Sequence, residues 1–420
     1  MMQNLDIRKT SYASKAHEAS ALRLNEITHQ LGDQLSYYNT TGRVKAINPG
    51  HKRGNYPVEF YVETLKIPAI RVVEEATGKE MTAQLSRHPR GVQISFVDSF
   101  APFEEKIYTY EELPAPLGGA NTRHAYVGAE RVRDIVNDYD PLTYLLPYGL
   151  ENEWVKVSYE IGKGVTSLYD KKADRELLLE GDCRFFTPIY ENTEIRTDVY
   201  EERRLLGRNI RGLHAKKSIG VLNGVTVLEH GEVFTSVELA YSMEGCVRSS
   251  VILKLYHQLP RLDFVFQIGK TISHDIESVY LPLGLNLPEH TLWIDKGGVP
   301  MRPGIDQLPG SCMEYYTLEH GAAYIGKEGS ILIHSKDVPL VTMGKLEHHP
   351  IRLCENWEED NHRPLYSWVM NNTWETNFKM DLSGFGEFCY SLEWSGSADS
   401  KSCAEELADR DLGITAFIIG

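Results

Sequence analysis

The sequence WVKVSYEIGKGVTSLYDKKADRELL at residues 154–178 contains two short strand patterns joined by a glycine turn. Apolar and polar residues alternate through 154–159, and the run at 165–169 also has the composition of a strand. Gly162 and Gly164 lie between them, where glycine tolerates the positive backbone φ that tight hairpin turns require. The stretch predicts an antiparallel hairpin and a mainly β fold.

Runs of the same type continue in both directions along the chain. Toward the N-terminus, strands are predicted at 44–47, 58–62, 69–73 and 91–97. Toward the C-terminus, further strands are predicted up to Phe417, among them 225–228, 233–239, 251–256 and 262–268. We therefore expect a small β-sandwich at 41–112 and a large two-sheet β-domain at 113–420, beginning with the Pro- and Gly-rich linker 113–119.

One helix is predicted ahead of the β-rich region, at 12–35. Small or apolar residues recur there in steps of three and four, which places on one helical face Ala13, Ala16, Ser20, Leu24, Ile27, Leu31 and Leu35. A helix of this length is marginal in water by itself, so its apolar stripe needs a partner. Few other segments have a helical pattern. We therefore expect residues 1–40 to be one helix of a bundle whose other helices are elsewhere.

The bulk composition argues against several classes of function. The chain has 44 Lys and Arg against 59 Asp and Glu, and a net charge of −15 repels nucleic-acid phosphates and anionic lipids. There is no run of about 18 apolar residues, and the N-terminus has no signal-peptide pattern. The six cysteines are scattered without a C-x-x-C pair, as is typical of free thiols in a reducing compartment. These features favour a cytoplasmic protein with no nucleic-acid or membrane partner.

Several segments, in order along the chain, resemble glycoside hydrolase family 38, the α-mannosidases. Residues 154–178 are similar to the strand, glycine turn and I-x-S-L-x-D-K hairpin that open the family's large β-domain. The family's V-x-N-P, E-x-G-P-V, L-Y…P-R-L-D-F and M-N-N-x-W-x-T-N-F segments resemble 46–49, 227–233, 254–264 and 366–378, with Glu232 in place of the proline. The resemblance implies the C-terminal portion of such an enzyme: a bundle helix, a small sandwich and a large galactose-mutarotase-like β-supersandwich.

The resemblance also implies a function for the parent architecture. Complete family members hydrolyse α-mannosidic bonds with retention, using a nucleophilic aspartate and a zinc ion on an N-terminal barrel. No His-His-Asp segment like the family's precedes the helix in this sequence, so no catalytic residue and no metal ligand is carried over. We expect no cofactor in this chain. The expected partners are a mannose-containing oligosaccharide and a missing N-terminal catalytic domain or a separate catalytic chain.

Two groups of residues are candidates for carbohydrate binding. In the family that this chain resembles, the β-domain contributes to the active-site rim. The corresponding candidate in this chain is segment 371–377, with Asn371, Asn372, Trp374 and Asn377. Carboxamides donate and accept hydrogen bonds, and an indole face covers the apolar side of a sugar ring. The sequence is equally compatible with asparagines that cap a turn and a Trp374 that fills the core.

The second group is a Gly-containing segment with Trp293, Arg302, Asp306 and Gln307. An ordinary exposed loop is the simpler interpretation of it. The acidic run 355–360 is similarly explained as a solvated face, although Trp357 within it is suited to stacking on a sugar.

A metal site at Glu347, His348 and His349 is an alternative. Adjacent strand residues point to opposite faces, so the two histidines rarely hold one ion, and a solvated loop is favoured.

Three functional hypotheses remain open from the sequence. The first is the C-terminal half of an α-mannosidase-like hydrolase, and the second is a stand-alone carbohydrate-binding module of the mutarotase type. The third is an independent epimerase or lyase, for which Glu229 and His230 are the obvious pair, although neighbours on one strand face opposite sides. The sequence also leaves open a homo-oligomer.

Overall fold

The computed structural model describes residues 2–34, 41–63, 69–88, 91–114, 126–127, 149–181, 184–194, 210–212, 214–354, 364–373 and 381–419. The helices are α1 (Met2–Gln30) and α2 (Ser400–Leu412). The first strands are β1 (Thr41–Ile47), β2 (Gly54–Val62), β3 (Ala69–Glu74), β4 (Glu80–Met81), β5 (Ala83–His88), β6 (Gly91–Phe100), β7 (Glu105–Leu113), β8 (Tyr126–Val127), β9 (Gly149–Glu151), β10 (Val155–Glu160), β11 (Gly164–Asp170), β12 (Arg175–Glu176), β13 (Ile189–Thr193), β14 (Ile210–Arg211) and β15 (Lys216–Ile219). They are followed by β16 (Val221–His230), β17 (Phe234–Ser242), β18 (Cys246–Tyr256), β19 (Arg261–Lys270), β20 (Ile276–Pro282), β21 (Thr291–Lys296), β22 (Val299–Met301), β23 (Tyr316–Thr317), β24 (Gly321–Ile325), β25 (Ser330–Ser335), β26 (Leu340–Met343), β27 (His349–Pro350), β28 (Leu365–Asn371), β29 (Gly384–Ser395) and β30 (Thr415–Ile418). The predicted mainly β fold is confirmed.

A small sandwich is formed by a five-stranded sheet, β30-β1-β7-β3-β4, and a three-stranded sheet, β2-β6-β5. Inward-facing residues alternate along β2, so that Val58 and Phe60 are buried against Phe96 and other apolar side chains. The last strand pairs with the first, with Ala46 opposite Ala416. Residues 415–418 therefore belong structurally to the small sandwich, although they were included in the predicted large domain. The predicted domain boundaries otherwise stay predictions.

The small sandwich contains a buried carboxylate, Asp98, whose side chain is 3% exposed. It accepts hydrogen bonds from Lys79 Nζ at 3.0 Å, Lys106 Nζ at 2.8 Å and the Tyr108 hydroxyl at 2.8 Å. Burial raises the pKa of this carboxyl, but the three donors and a backbone amide outweigh it and lower the pKa to about 2. The charged form of Asp98 is thus stabilised by folding.

The large domain is built from several antiparallel sheets around one hydrophobic core. Their strand orders are β16-β17-β18-β19-β29-β25-β24-β21-β22, β15-β13-β20-β28-β26-β23 and β12-β11-β10-β9-β8. The alternation predicted at 262–268 is present in β19, where every second residue is buried. In contrast, every residue of β20 is buried, because both of its faces are covered.

Polar contacts join the small sandwich to the large domain. Gln84 of β5 accepts hydrogen bonds from the backbone amides of Val233 and Phe234, at 3.0 and 2.9 Å, and donates to Glu229 at 3.1 Å. Ser86 also donates to Glu229, at 2.6 Å. A carboxamide that satisfies two buried amides fixes how the two units meet.

The helix predicted at 12–35 is present, but it begins and ends earlier, at Met2–Gln30. Gly32, with φ of 102°, lies just beyond its end and favours termination there. Its apolar residues Leu24, Ile27 and Leu31 are 53%, 39% and 37% exposed. No helix in the described residues is long and apolar enough to cross a membrane.

The second helix, α2, was not predicted. Its N-cap residue, Asp399, accepts a hydrogen bond from the Ser402 amide at 2.8 Å. Cys403 and Leu407 pack on β24 and β25 of the nine-stranded sheet. A short helix with two buried apolar residues has only a weak periodic pattern, so the sequence did not predict α2.

Candidate functional site

The predicted rim segment lies at one end of the six-stranded sheet. Asn371 is the last residue of β28 and is paired with Ser278 of β20. Asn372 and Thr373 follow directly, and all three rim residues are partly exposed. Two further predicted residues, Trp374 and Asn377, lie outside the described residues, as does Trp357.

The carboxamide of Asn372 is used within the chain. Its Oδ1 accepts a hydrogen bond from the backbone amide of Glu277 at 2.6 Å, and its Nδ2 donates to the backbone carbonyl of Asp275 at 2.8 Å. Both ends of the amide thus hold the turn that leads into β20. Asn372 therefore agrees with the alternative interpretation, in which the asparagine caps a turn. Asn371 lies at the partly exposed end of β28.

Next to this turn, a lysine and a glutamate form an ion pair inside the protein. Nζ of Lys270, the last residue of β19, lies 2.5 Å from Oε1 of Glu277, and neither side chain is exposed to solvent. The second oxygen, Oε2 of Glu277, is buried without a hydrogen-bond partner. Each charge compensates the other, because either one alone in the core would carry a large desolvation cost.

Three more polar residues complete this group. The Tyr190 hydroxyl donates to Glu277, and the Tyr190 ring lies 5.2 Å from Lys270 Nζ. Asn192 Nδ2 donates to the Tyr190 hydroxyl and to Asp275 Oδ2, at 3.2 Å each. Burial, together with the bond to Glu277, raises the pKa of Tyr190, so its phenol stays protonated. We call this group the sheet-end cluster: Tyr190, Asn192, Lys270, Asp275, Glu277 and Asn372.

The sheet-end cluster is suited to hydrogen bonding rather than to proton transfer. Its ion pair is closed off from solvent, whereas Asn192 and Asp275 are partly exposed. Asn192 is paired with Glu277 and Asn371 with Ser278, the next residue of β20, so Asn371 lies at the same end of the sheet but on its other face. The carboxylate of Asp275 and the carboxamide of Asn192 can donate to and accept from sugar hydroxyls. The ion pair and the Asn372 cap hold that end of the sheet in place.

Apart from Asn372, the residues of the sheet-end cluster were not predicted from the sequence. A signal was present for Lys270, because it lies in phase with the inward-facing residues of β19, among them Phe266 and Ile268. A lysine in a buried register position requires a buried carboxylate as partner. The identity of that carboxylate, Glu277, depends on tertiary contacts.

In the second predicted group, Arg302 links Trp293 to Asp306. Its guanidinium lies 5.2 Å from the Trp293 ring centroid and pairs with Asp306 through two bonds, at 2.8 and 3.0 Å. These bonds lower the pKa of Asp306. Gln307 Oε1 accepts from the Gly304 amide at 2.6 Å and from the Tyr316 hydroxyl at 2.7 Å. The group is a structured loop whose polar atoms bond within it.

The alternative sites do not assemble as a catalytic pair or a metal centre. His349 is not in a solvated loop: it lies in β27, and its Nε2 is 3.0 Å from Oε2 of the buried Glu314. That prediction was wrong for His349, whereas His348 is exposed. Glu229 bonds to the small sandwich, while His230 Nδ1 lies 3.0 Å from Thr235 Oγ1.

Within the described residues, no group of three or more His, Cys, Asp or Glu side chains is arranged to hold a metal ion.

Comparison with known proteins adds evidence on the fold. No protein-family model and no curated protein matches the sequence. An α-mannosidase from Enterococcus faecalis V583 is similar in structure, with a TM-score of 0.58 and 12% identity. A protein of glycosyl hydrolase family 38 from Enterococcus faecalis has a TM-score of 0.58 and 11% identity. Each match covers 97% of this chain but 49% and 51% of the other. The chain thus spans about half the length of these proteins and shares the fold of that half.

Proposed function

We propose that this chain is the C-terminal β-region of an α-mannosidase-like glycoside hydrolase, and that it contributes carbohydrate contacts and support to a catalytic barrel. The observation that carries the proposal is the match of 97% of the chain to about half of a solved α-mannosidase. The ordered motifs from 154–178 to 366–378 support the same assignment. The barrel then belongs to the same longer polypeptide or to a separate chain.

The uncovered face of α1 supports a contact with such a catalytic part. Leu24, Ile27 and Leu31 are spaced by three and four residues and are exposed, although apolar faces of helices are normally packed. In the proposed assembly this stripe packs against helices that accompany the barrel. Leu24→Lys, with Lys15→Leu as a surface control, tests this by co-purification of the two parts.

The sheet-end cluster and Asn371 supply the proposed sugar contacts. Asn192, Asp275 and Asn371 are partly exposed at one end of the six-stranded sheet, with Asn371 on the other face from Asn192. Donors and acceptors at the end of a sheet fit the hydroxyls of a mannose unit. Trp374 and Asn377 remain part of the predicted rim, as does the loop with Trp293, Asp306 and Gln307.

The rim is tested by calorimetric titration of the chain with a mannose-containing oligosaccharide. Asn371→Ala is expected to weaken binding by about tenfold, which corresponds to the loss of about 1.4 kcal/mol. Asn223→Ala is the matched control, because Asn223 is an exposed asparagine on β16. Asn372→Ala is expected to lower stability but not affinity, since its carboxamide is bonded to the backbone. Equal affinities of Asn371→Ala and Asn223→Ala would contradict the rim assignment.

The catalytic part of the proposal needs a separate test. The purified chain with added zinc is expected to show no turnover of an aryl α-mannoside, and a co-expressed barrel is expected to restore it. Coding DNA upstream of Met1, or a neighbouring gene, is the place to look for that barrel. Turnover by the chain itself that survives metal depletion and a mannosidase inhibitor would favour an independent enzyme instead.

A further inference from the structure

A cleft of about 480 Å³ opens at a different place in the large domain. Ala173 and Arg175 line it from the β11–β12 turn, and Lys327 and Ser330 line it from the hairpin between β24 and β25. Trp394 of β29 also lines it. We call it the hairpin cleft. Its volume falls within the range of about 300–1,000 Å³ that is usual for small-molecule sites.

Three nitrogen atoms of its lining side chains are buried without a hydrogen-bond partner. They are Nε of Arg175, Nδ1 of His290 and Nε1 of Trp394. Buried polar atoms in proteins are nearly always paired, so unpaired nitrogens in the lining of a cleft are a reason to consider a polar ligand there. Because these three atoms have almost no surface of their own open to solvent, a ligand would meet the exposed parts of the same side chains, which are partly accessible in Arg175 and Trp394.

The hairpin holds His290 in position. A Cβ atom at Gly326 would lie 2.5 Å from Nε2 of His290, so only glycine lets the ring pack this close. Burial, assisted by the nearby Arg175, lowers the pKa of His290 and keeps the ring neutral. A neutral imidazole nitrogen either donates or accepts a hydrogen bond, which matches a hydroxyl group.

The charges that line the hairpin cleft balance. Three are acidic and three are basic: Asp170, Glu289, Glu328, Lys172, Arg175 and Lys327. Asp170 is already used, since it accepts bonds from the amides of Lys172 and Ala173, at 3.1 and 3.0 Å, and lies 3.4 Å from Arg175 Nη2. Sites for phosphate or carboxylate normally have an excess of positive groups. Mixed donors and acceptors beside a tryptophan fit a neutral polyhydroxylated ligand.

We propose that the hairpin cleft is a second carbohydrate-binding site, which takes a neutral saccharide of one or two units. The partly exposed guanidinium of Arg175 donates to its oxygen atoms, the Trp394 ring covers an apolar face of a sugar ring beside the neutral His290, and the rim carboxylates of Glu289 and Glu328 accept from its hydroxyls. This site does not depend on the proposed rim, because the hairpin cleft and the sheet-end cluster have no residue in common.

The test is calorimetric titration with mannobiose, maltose, lactose and inorganic phosphate. Ala173→Trp fills the hairpin cleft from an exposed turn, and Ala76→Trp places the same side chain on an exposed turn of the small sandwich as the control. We expect Ala173→Trp to abolish binding of at least one disaccharide at the cleft and Ala76→Trp to have no effect. Arg175→Met, which keeps the apolar stem, is expected to weaken that binding by about tenfold.

The outcomes separate this proposal from the rim. If both sites exist, wild-type protein binds two saccharides, Ala173→Trp leaves one, and Asn371→Ala retains both but weakens one of them by about tenfold. If only the hairpin cleft binds, Ala173→Trp removes all binding while Asn371→Ala leaves the affinity unchanged. Saccharide binding that Ala173→Trp leaves unchanged, binding of phosphate in preference to every saccharide, or no binding at all would overturn the proposal for the cleft.

Discussion

Replacing Lys270 with methionine is expected to destabilise the large domain strongly. The substitution keeps the length and apolar stem of the side chain but removes the only charge paired with Glu277 in the sheet-end cluster. Both side chains are fully buried, and their charged atoms are 2.5 Å apart. Breaking such a pair leaves an uncompensated charge in the core, which typically costs about 3–5 kcal/mol.

The same geometry predicts that a second substitution repairs much of the damage. In Lys270→Met with Glu277→Gln, no charge remains, and the amide oxygen still accepts from the Tyr190 hydroxyl. The double variant is therefore expected to be more stable than Lys270→Met, with a coupling energy between the two sites of about 1–3 kcal/mol. Lys216→Met is the control, because the Lys216 side chain is 77% exposed and pairs with Glu194 at 3.9 Å in solvent.

The assay is urea unfolding monitored by tryptophan fluorescence and far-ultraviolet circular dichroism. Trp368 lies in β28 of the same sheet and is 4% exposed, so it reports on this part of the fold. The transition of the large domain is fitted separately if the small sandwich unfolds at another urea concentration. The reasoning is refuted if Lys270→Met unfolds at the same concentration as Lys216→Met, or if the effects of the two buried substitutions simply add.

Two further predictions concern the small sandwich. Because Asp98 has a folded pKa of about 2 against an ordinary 3.8, it contributes about 2 kcal/mol that is present above pH 4 and is lost as the pH falls from 4 to 2. Stability measured against pH should therefore fall less steeply in this window for Asp98→Asn, and parallel curves would exclude the effect. Gln84→Ala leaves the buried amides of Val233 and Phe234 without their acceptor, at about 1–3 kcal/mol, and should lower the melting temperature. An unchanged melting temperature would mean that water replaces the carboxamide.

Local elements were largely predictable from the sequence. The hairpin at 154–178 is present as β10 and β11, and Gly162 and Gly164 have φ values of 86° and 90°. The alternation of β19 and the presence of α1 were predicted from the periodicity of apolar residues, which depends only on residues close together in the sequence. The resemblance of motifs also led correctly to the fold of about half of an α-mannosidase.

The candidate site was predicted only in part, since its residues come from distant segments. Asn371 and Asn372 were identified, but Lys270, Glu277 and Tyr190 were not. The Asn372 carboxamide bonds to the backbone of a turn, whereas it was predicted to contact a sugar. Tyr190 and Glu277 are brought together by the pairing of β13 with β20. The hairpin cleft likewise joins Arg175, His290 and Trp394, which no spacing in the sequence connects.

What the sequence determined by itself is a part of the strands and turns and the first helix, because these depend on interactions within a few residues. The tertiary structure decided which strands meet. It pairs Ala46 with Ala416, closing the small sandwich with the end of the chain. It also places Lys270 against Glu277 in the core. These contacts are selected by the burial of apolar faces and by the need to pair every buried charge, and both are properties of the whole packed chain.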